Sequence, residues 1–398
     1  MTHYNFNQSV GRRNQGSLKW AQMDEQVRNL PEEIVPFSVA DTDLPPLPEL
    51  VQGLKTFLDE MVLGYTGPTK AYYQGVINWF NTRHNWQVKE EWLIPTAGVV
   101  AALYQSVRAF SEPGDGVLIL SPVYYPFRAA IEHSDREVIA SSLVVEQGRY
   151  TIDFDDLEAK LKNPALSLMI FCSPHNPVGR VWTREELTLV DRLCRKHQVT
   201  LVSDEIHFDL ILPGFEHQVF STLSLEAQWN SVILTAPSKT FNVAGLQTAN
   251  VVIANPDLRK NFQAQLAKDG QQLLNCIGPK ACELVYRHGA LWLEEFLELI
   301  EDNRLYFETF MVKELPQIRV VPLEGTYLQW FDCHGLGMSD QELNRFLVHD
   351  CQLFLDPGNL FGKEGEQYQR MSLACPKTDL SRALERLAAG VKAREERM

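Results

Sequence analysis

Between residues 90 and 255, short apolar runs alternate with amphipathic stretches along the chain. The runs consist mainly of Val, Ile and Leu without polar alternation, which is typical of strands covered by helices on both faces. They occupy residues 116–120, 137–140, 168–172, 200–203, 231–235 and 249–254. Thr183, with Glu186 three residues later, predicts the capping box of an intervening helix. Repeated β-α units of this kind predict an α/β fold with a mostly parallel sheet.

The two ends of the chain show other patterns. The first 48 residues are polar and become rich in proline, which favours an extended arm over a helical domain. After residue 289, apolar positions predict one long helix and then a smaller α+β unit that ends in another helix. We therefore expect three parts: an arm that also contributes to the small domain (1–48), a large domain (49–288) and a small C-terminal domain (289–398).

Composition limits the classes of function. The chain has 398 residues, of which 45% are hydrophobic and 22% charged, as in folded globular proteins. Its net charge of −14 disfavours contact with nucleic acid or anionic membranes, so we expect neither as a partner. The seven cysteines form no CxxC pair and no zinc spacing, so we expect reduced thiols, a cytoplasmic location and no metal site. The first five residues lack the pattern of an export signal.

Polar residues with specific chemistry follow four of the apolar runs, in segments 121–126, 173–179, 203–207 and 236–242. Ligands of open parallel sheets bind at the carboxyl ends of the strands, so these segments should meet at one edge. The aromatic, amide, carboxylate and amine groups expected there belong to Tyr124, Asn176, Asp204 and Lys239.

The order Asn-Pro-x-Gly (176–179), Asp-Glu (204–205) and Ser-Lys (238–239) resembles the fold-type-I enzymes that depend on pyridoxal phosphate, the class I/II aminotransferase superfamily. Further segments narrow the resemblance to the MalY/PatB type of carbon–sulfur lyases, often called cystathionine β-lyases. They are 17–20, 39–43, 64–66, 238–242, 356–362 and 370–376. The resemblance covers essentially the whole chain and implies a seven-stranded, mostly parallel sheet in the large domain, with helices on both faces.

Two residues would carry the central chemistry. A lysine that follows an apolar strand can lose hydration, lower its pKa and form a Schiff base with an aldehyde. The resemblance implies that Lys239 bonds in this way to pyridoxal 5'-phosphate and later removes the Cα proton of the substrate. Asp204 would keep the pyridine nitrogen protonated, which makes the ring an electron sink. The alternatives are a surface loop lysine and the N-cap carboxylate of a helix.

Three further residues would surround the cofactor. Asn176 resembles the amide that binds the phenolic oxygen, although asparagine before proline also suits a turn. His207 occupies a position where many aminotransferases have tyrosine, and we expect it to make a structural or cofactor-adjacent hydrogen bond. Tyr124, the second catalytic candidate after Lys239, should stack on the ring with its hydroxyl free to donate; Tyr125 competes for this role.

The phosphate requires hydrogen-bond donors. The turn at Gly98, Val99 and Val100 enters a predicted helix, whose free N–H groups and dipole attract anions. The alternative is that Gly98 is an ordinary glycine before a helix and binds no phosphate. Ser238 would add a hydroxyl, whereas the arginine usual in the superfamily is replaced by Gln247.

The resemblance also implies residues that bind the substrate and a partner chain. Arg370 would hold the α-carboxylate bidentately, unless it is a surface arginine in a salt bridge, and the backbone near Ala40 would cover the other side of the amino acid. Tyr65 would reach the partner's phosphate across a two-fold interface, which implies a homodimer.

The implied reaction is β-elimination from cystathionine or another S-substituted cysteine, with release of a thiol, pyruvate and ammonia. Transamination is the nearest alternative, because the same residues serve both reactions up to a shared carbanion. A regulatory or binding protein that retained the fold is an alternative from another class.

Overall fold

The computed structural model describes residues 3–271 and 273–397. The outermost residues of the predicted arm and small domain, including part of the segment inspected for an export signal, lie outside this range. The strands of the described residues are β1 (Leu93–Thr96), β2 (Gly116–Ser121), β3 (Glu137–Ser142), β4 (Val144–Glu146), β5 (Arg149–Thr151), β6 (Leu166–Cys172), β7 (Thr200–Asp204), β8 (Ser231–Thr235), β9 (Ala249–Val252), β10 (Arg319–Val320), β11 (Leu328–Asp332), β12 (Asp356–Pro357) and β13 (Tyr368–Ser372).

The helices in the same range are α1 (Leu18–Gln26), α2 (Pro48–Glu60), α3 (Lys70–His84), α4 (Val99–Phe110), α5 (Pro126–Glu132), α6 (Phe154–Leu161), α7 (Arg184–Lys196), α8 (Leu225–Trp229), α9 (Pro237–Thr240), α10 (Pro256–Lys268), α11 (Ile277–His288), α12 (Ala290–Glu314), α13 (Asp340–Arg345) and α14 (Lys377–Glu395). Among these described helices, none combines the length and the apolar character needed to cross a bilayer.

Seven strands form the central sheet, in the order β1-β9-β8-β7-β6-β2-β3. Neighbours from β8 to β3 are parallel, whereas β9 runs antiparallel to both β8 and β1. This sheet confirms the mostly parallel α/β fold, and six of its strands coincide with the six predicted runs. The short edge strand β1, which contains Pro95, lacks such a run.

The central sheet is buried on both faces. Val117 and Ile119 of β2 pack on one side with α4, α5 and α10, whereas Leu118 and Leu120 pack on the other with α3, α7 and α11. Both sets of alternate positions are therefore apolar, which explains why the strands read as continuous hydrophobic runs.

A second, antiparallel sheet has the order β10-β11-β13-β12 and packs against α12, which in turn contacts α14. Phe307 of α12 lies 5.6 Å from Phe331 of β11, measured between ring centroids. The arm joins this unit because the Phe37 N–H donates to Phe354 O (2.9 Å) and the Ser372 N–H donates to Phe37 O (3.0 Å). The proposed three-part division of the chain stays a prediction.

The arm contains a helix, α1, where the sequence favoured extended chain. Trp20 and Met23 of α1 are buried against Leu30, Ile34 and Phe354 in a separate small cluster. A helix of nine residues is marginal alone, so this contact with a distant part of the chain stabilises it. Local composition does not carry that information.

The predicted capping box of α7 is confirmed. Thr183 Oγ1 accepts a hydrogen bond from the Glu186 N–H (3.2 Å), and Glu186 Oε2 accepts one from the Thr183 N–H (2.7 Å). Two backbone donors at the start of the helix are thereby satisfied.

We expect Thr183→Ala to destabilise the first turn of α7 by about 1 kcal/mol, because one N–H loses its acceptor. Hydrogen–deuterium exchange of the first-turn amides should accelerate about fivefold. Thr188→Ala is the matched control, since its hydroxyl bonds to Arg184 O within the same helix. Equal exchange in the two variants would contradict a role for the cap.

Candidate active site

Four strand ends of the central sheet bring the predicted chemistry together. Tyr124 follows β2, Asn176 follows β6, Asp204 ends β7, and Lys239 lies on α9 directly after β8. These strands are parallel neighbours, so their carboxyl ends share one edge of the sheet.

A cavity of about 220 Å³ lies at this edge. Its wall contains most of the residues singled out from the sequence, namely Ala40, Gly98, Val99, Val100, Tyr124, Asn176, Asp204, His207, Ser238 and Lys239. Arg370 touches this set because its Nη1 donates to Asn176 Oδ1 at 2.7 Å. Tyr65 stands apart, 97% exposed on the surface of its own chain.

The amine of Lys239 donates to Ala40 O at 2.8 Å. Burial lowers the pKa of Lys239 to about 8, and the positive charge of Arg370 contributes in the same direction. Asp204 and other nearby carboxylates oppose the shift. The balance leaves a substantial neutral fraction near physiological pH, as a nucleophilic amine requires.

Asp204 is 3% exposed, and its Oδ1 accepts a hydrogen bond from the Ile206 N–H at 3.1 Å. Burial raises the pKa of Asp204 to about 7, against the lowering effects of that hydrogen bond and of Lys239. A buried carboxylate of this kind is stabilised when a cation is placed beside it. Asp204 thus suits a protonated ring nitrogen in the cavity.

Two aromatic side chains border the site. Tyr124 is partly buried with its backbone N–H bonded to Asn176 O (3.1 Å), whereas Tyr125 is 51% exposed. The two ring centroids lie 5.2 Å apart. Burial raises the pKa of Tyr124, so its hydroxyl stays protonated and able to donate.

His207 is 2% exposed, and its Nδ1 has no hydrogen-bond partner among the described residues. Burial, together with the charges of Lys239 and Arg370, moves the pKa of His207 well below its usual range. A neutral imidazole with a free nitrogen therefore faces the cavity.

Part of the cavity wall offers neutral donors. Gly98 has φ +110°, and a Cβ built there would meet no atom within 4 Å. Val99 begins α4 beside this open space, and Ser238 lies in the same wall. Thr248 is 2% exposed, and its Oγ1 lacks a hydrogen-bond partner in the described structure. A helix N-terminus with nearby hydroxyls is suited to an anion such as phosphate.

These features fit pyridoxal 5'-phosphate. The cavity presents an amine for an aldehyde, a buried carboxylate for a ring nitrogen and a helix N-terminus for a phosphate. The unpartnered Thr248 hydroxyl and His207 nitrogen are polar atoms for which a bound ligand would supply partners.

Sequence reasoning missed several residues of the site. The wall also contains Ala97, Ala101, Cys172, Ile206, Ala244 and Thr248, in addition to Gln247, which the sequence had indicated as the replacement of the superfamily arginine. Cys172 and Thr248 adjoin recognised segments and could have been found by extending each by one residue or two. Asp356 lies in segment 356–362 of the resemblance, which implied no role for it, and its carboxylate contacts Arg370 at 2.5 Å.

An α/β fold of this topology, with a lysine of lowered pKa and a buried aspartate at the carboxyl edge, defines a fold-type-I enzyme of the pyridoxal-phosphate class. The chain belongs to the family described as aminotransferase class I and II, whose model matches residues 32–387. The family and the fold expected from the sequence are thereby confirmed.

Three relatives illustrate the similarity. Cystathionine beta-lyase PatB of Bacillus subtilis is 38% identical over 97% of this chain and 100% of its own. Protein MalY of Escherichia coli is 28% identical over 98% of this chain and 99% of its own. Cystalysin from Treponema denticola, whose crystal structure contains a pyridoxal 5'-phosphate cofactor, is 43% identical with a TM-score of 0.96, covering 98% of this chain and 99% of that chain.

The pKa of Lys239 predicts how the cofactor-free protein takes up pyridoxal phosphate. Protonated amines do not add to aldehydes, and raising the pH through about 8 deprotonates Lys239. The uptake rate should therefore rise with pH and level off above about pH 9. With a lysine of ordinary pKa, the rate would continue to rise at higher pH. Stopped-flow absorbance measures this rate, and Lys239→Ala is the control that should form no covalent adduct. A midpoint near the usual lysine value of 10.5 would contradict the assignment.

Proposed function

We propose that the protein is a pyridoxal-phosphate-dependent carbon–sulfur lyase that acts on cystathionine or another S-substituted cysteine. The reaction is β-elimination, with a thiol, pyruvate and ammonia as products. The observation that carries this proposal is the buried pair of Lys239 and Asp204 beside an anchored Arg370 in one cavity. The chain is similar to proteins named cystathionine beta-lyase along nearly their whole length, which supports β-elimination rather than transamination.

Pyridoxal 5'-phosphate is the cofactor, and when bound it supplies an aldehyde and a ring that withdraws electrons from Cα. Asp204 would hold the proton on the ring nitrogen, and Asn176 would donate to the phenolic oxygen. Tyr124 would pack on the ring, and His207 would lie beside the cofactor. The residues that would hold the phosphate are Gly98, Val99, Val100 and Ser238.

Lys239 serves as the base. Its amine, whose pKa burial lowers to about 8, would accept the Cα proton of the substrate. The Ala40 carbonyl accepts a hydrogen bond from Lys239 Nζ at 2.8 Å and so orients the amine. Burial raises the pKa of Tyr124, so its hydroxyl would stay protonated and would donate to the departing group.

Arg370 binds the α-carboxylate. The guanidinium is 3% exposed, and its Nη1 bonds to Asn176 Oδ1, so its plane is fixed beside the cofactor pocket. Ala40, 8% exposed in the cavity wall, covers the opposite side of the amino acid. Together they orient Cα toward Lys239.

The active unit is a homodimer in which Tyr65 serves the partner's site. Tyr65 lies in an exposed apolar stretch with Val62 and Leu63, which are 86% and 70% exposed. Contiguous exposed apolar residues of this kind mark protein interfaces.

The seven cysteines, free of disulfides in the structure, support a cytoplasmic location.

The first test offers a cysteine thioether such as cystathionine to the purified holoenzyme. Pyruvate and thiol should appear in equal amounts, and Lys239→Ala should reduce turnover by at least about 10³-fold because both the covalent bond and the base are lost. Lys260→Ala, at an exposed position in α10, is the matched control. Absence of pyruvate from every S-conjugate, or transfer of the amino group to a 2-oxo acid without ammonia, would refute the lyase.

The second test addresses the shared site. Tyr65→Ala and Lys239→Ala proteins are each nearly inactive if both residues serve catalysis. Mixing and reassembling them should restore about one quarter of the sites, because half of the dimers are mixed and each mixed dimer carries one intact site. No recovery, despite mixed dimers seen by native mass spectrometry, would place Tyr65 outside the partner's site.

A further inference from the structure

We infer that Asp356 is a positioning residue that ties Arg370 to the backbone of Val39, so that the substrate carboxylate meets a preset pair of N–H groups. The inference rests on the proposed function of Arg370 as the carboxylate anchor. Asp356 itself does not line the cavity and acts through Arg370 and Val39.

The hydrogen bonds of Arg370 show which edge is left for a substrate. Asp356 Oδ2 accepts from Nη2 at 2.5 Å and from Nε at 3.2 Å, and Asn176 Oδ1 accepts from Nη1. A guanidinium has five N–H bonds, so one on each terminal nitrogen remains without a described partner. Such a pair can bind both oxygens of a carboxylate.

Asp356 also holds a strained backbone. The Val39 N–H donates to both carboxylate oxygens of Asp356, at 3.0 and 3.3 Å. Val39 has φ +61°, a left-handed conformation that is unfavourable for a β-branched residue. The surrounding contacts must maintain it, and the carboxylate of Asp356 supplies one of them.

The strained residue lies next to the reacting amine. Ala40 follows Val39, and its carbonyl accepts from Lys239 Nζ at 2.8 Å and from the Tyr327 hydroxyl at 2.9 Å. The Asp356 carboxylate therefore connects Arg370, which binds the α-carboxylate of the substrate, with the Ala40 carbonyl. That carbonyl in turn holds Lys239, the base. Asp356 thus positions both Arg370 and Ala40, which in the proposed function contact the substrate on opposite sides of Cα.

Charge supports the same role. Arg370 is buried, whereas the Asp356 side chain is 15% exposed. Removing Asp356 would leave a buried cation without its ion-pair partner, free to turn toward other acceptors. The simpler alternative is an ion pair that only joins β12 to β13, where these two residues face each other in register.

The experiment measures amino-acid binding to the holoenzyme through the absorbance of the bound cofactor. L-Alanine has an α-carboxylate but no leaving group on Cβ, and L-alaninamide lacks the carboxylate charge. Asp356→Ala should weaken L-alanine binding about tenfold and change L-alaninamide binding by no more than about twofold. Asp356→Asn, which keeps an acceptor oxygen, should fall between wild type and Asp356→Ala. Equal effects on both ligands, or no effect, would overturn the inference.

Two controls separate positioning from stability. Asp332→Ala removes a carboxylate from β11 of the same sheet, where it bonds locally to His334, and should leave both ligands unaffected. Val39→Gly in the Asp356→Ala background should recover about threefold in L-alanine binding, since glycine adopts positive φ freely. If the double variant binds no better than Asp356→Ala, Asp356 does not act through Val39 and the inference fails.

Arg370→Lys distinguishes this inference from the proposed function. A lysine cannot offer the bidentate pair, so this variant should lose the preference for L-alanine over L-alaninamide. If it keeps that preference, the carboxylate anchor itself is wrongly assigned. If it loses the preference while Asp356→Ala keeps it, the anchor stands and the positioning role of Asp356 is refuted.

Discussion

The hydrogen bond from Lys239 Nζ to the Ala40 carbonyl is the contact on which the site depends. It joins the carboxyl edge of the central sheet to segment 39–43 of the arm. An ammonium group in such a cavity is poorly hydrated, so burial lowers the pKa of Lys239 to about 8. The nearby charges of Arg370, Asp204 and Asp356 adjust that balance. Burial and Arg370 thus favour the neutral, reactive amine, whereas the two carboxylates favour its protonated form.

Segment 39–43 is bonded to several parts of the molecule that meet at the site. Thr42 and Asn242 form a reciprocal pair, with the Thr42 N–H donating to Asn242 Oδ1 (3.1 Å) and Asn242 Nδ2 donating to Thr42 O (2.7 Å). Lys19 of α1, 4% exposed, lies 3.1 Å from Asp41 Oδ1 and 3.2 Å from Asp43 Oδ2. Three sequence motifs of the resemblance, around Lys19, Asp41 and Asn242, thus form one network that fixes the Ala40 carbonyl.

The sequence predicts what local pattern determines. The strands of the central sheet could be predicted because burial on both faces makes them continuous apolar runs, and Thr183 with Glu186 marked a helix start. The helix α1 could not, because its stability depends on contact with Phe354, far along the chain. The same applies to Asp356, whose bond to Val39 spans 317 positions. Residues at strand ends were found, whereas residues that hold them through distant contacts were missed.

The balance of charge in the cavity explains why these supporting contacts matter. Gln247 occupies the position where the superfamily resemblance leads one to expect an arginine, so the donors beside Gly98, including Ser238 and Thr248, are neutral. Neutral donors and a helix N-terminus bind a phosphate less strongly than an additional guanidinium does. In the proposed function, retention of the cofactor would then rely more on its bond to Lys239 and on the buried carboxylate of Asp204. Both depend on the fixed geometry of the sheet edge and of segment 39–43.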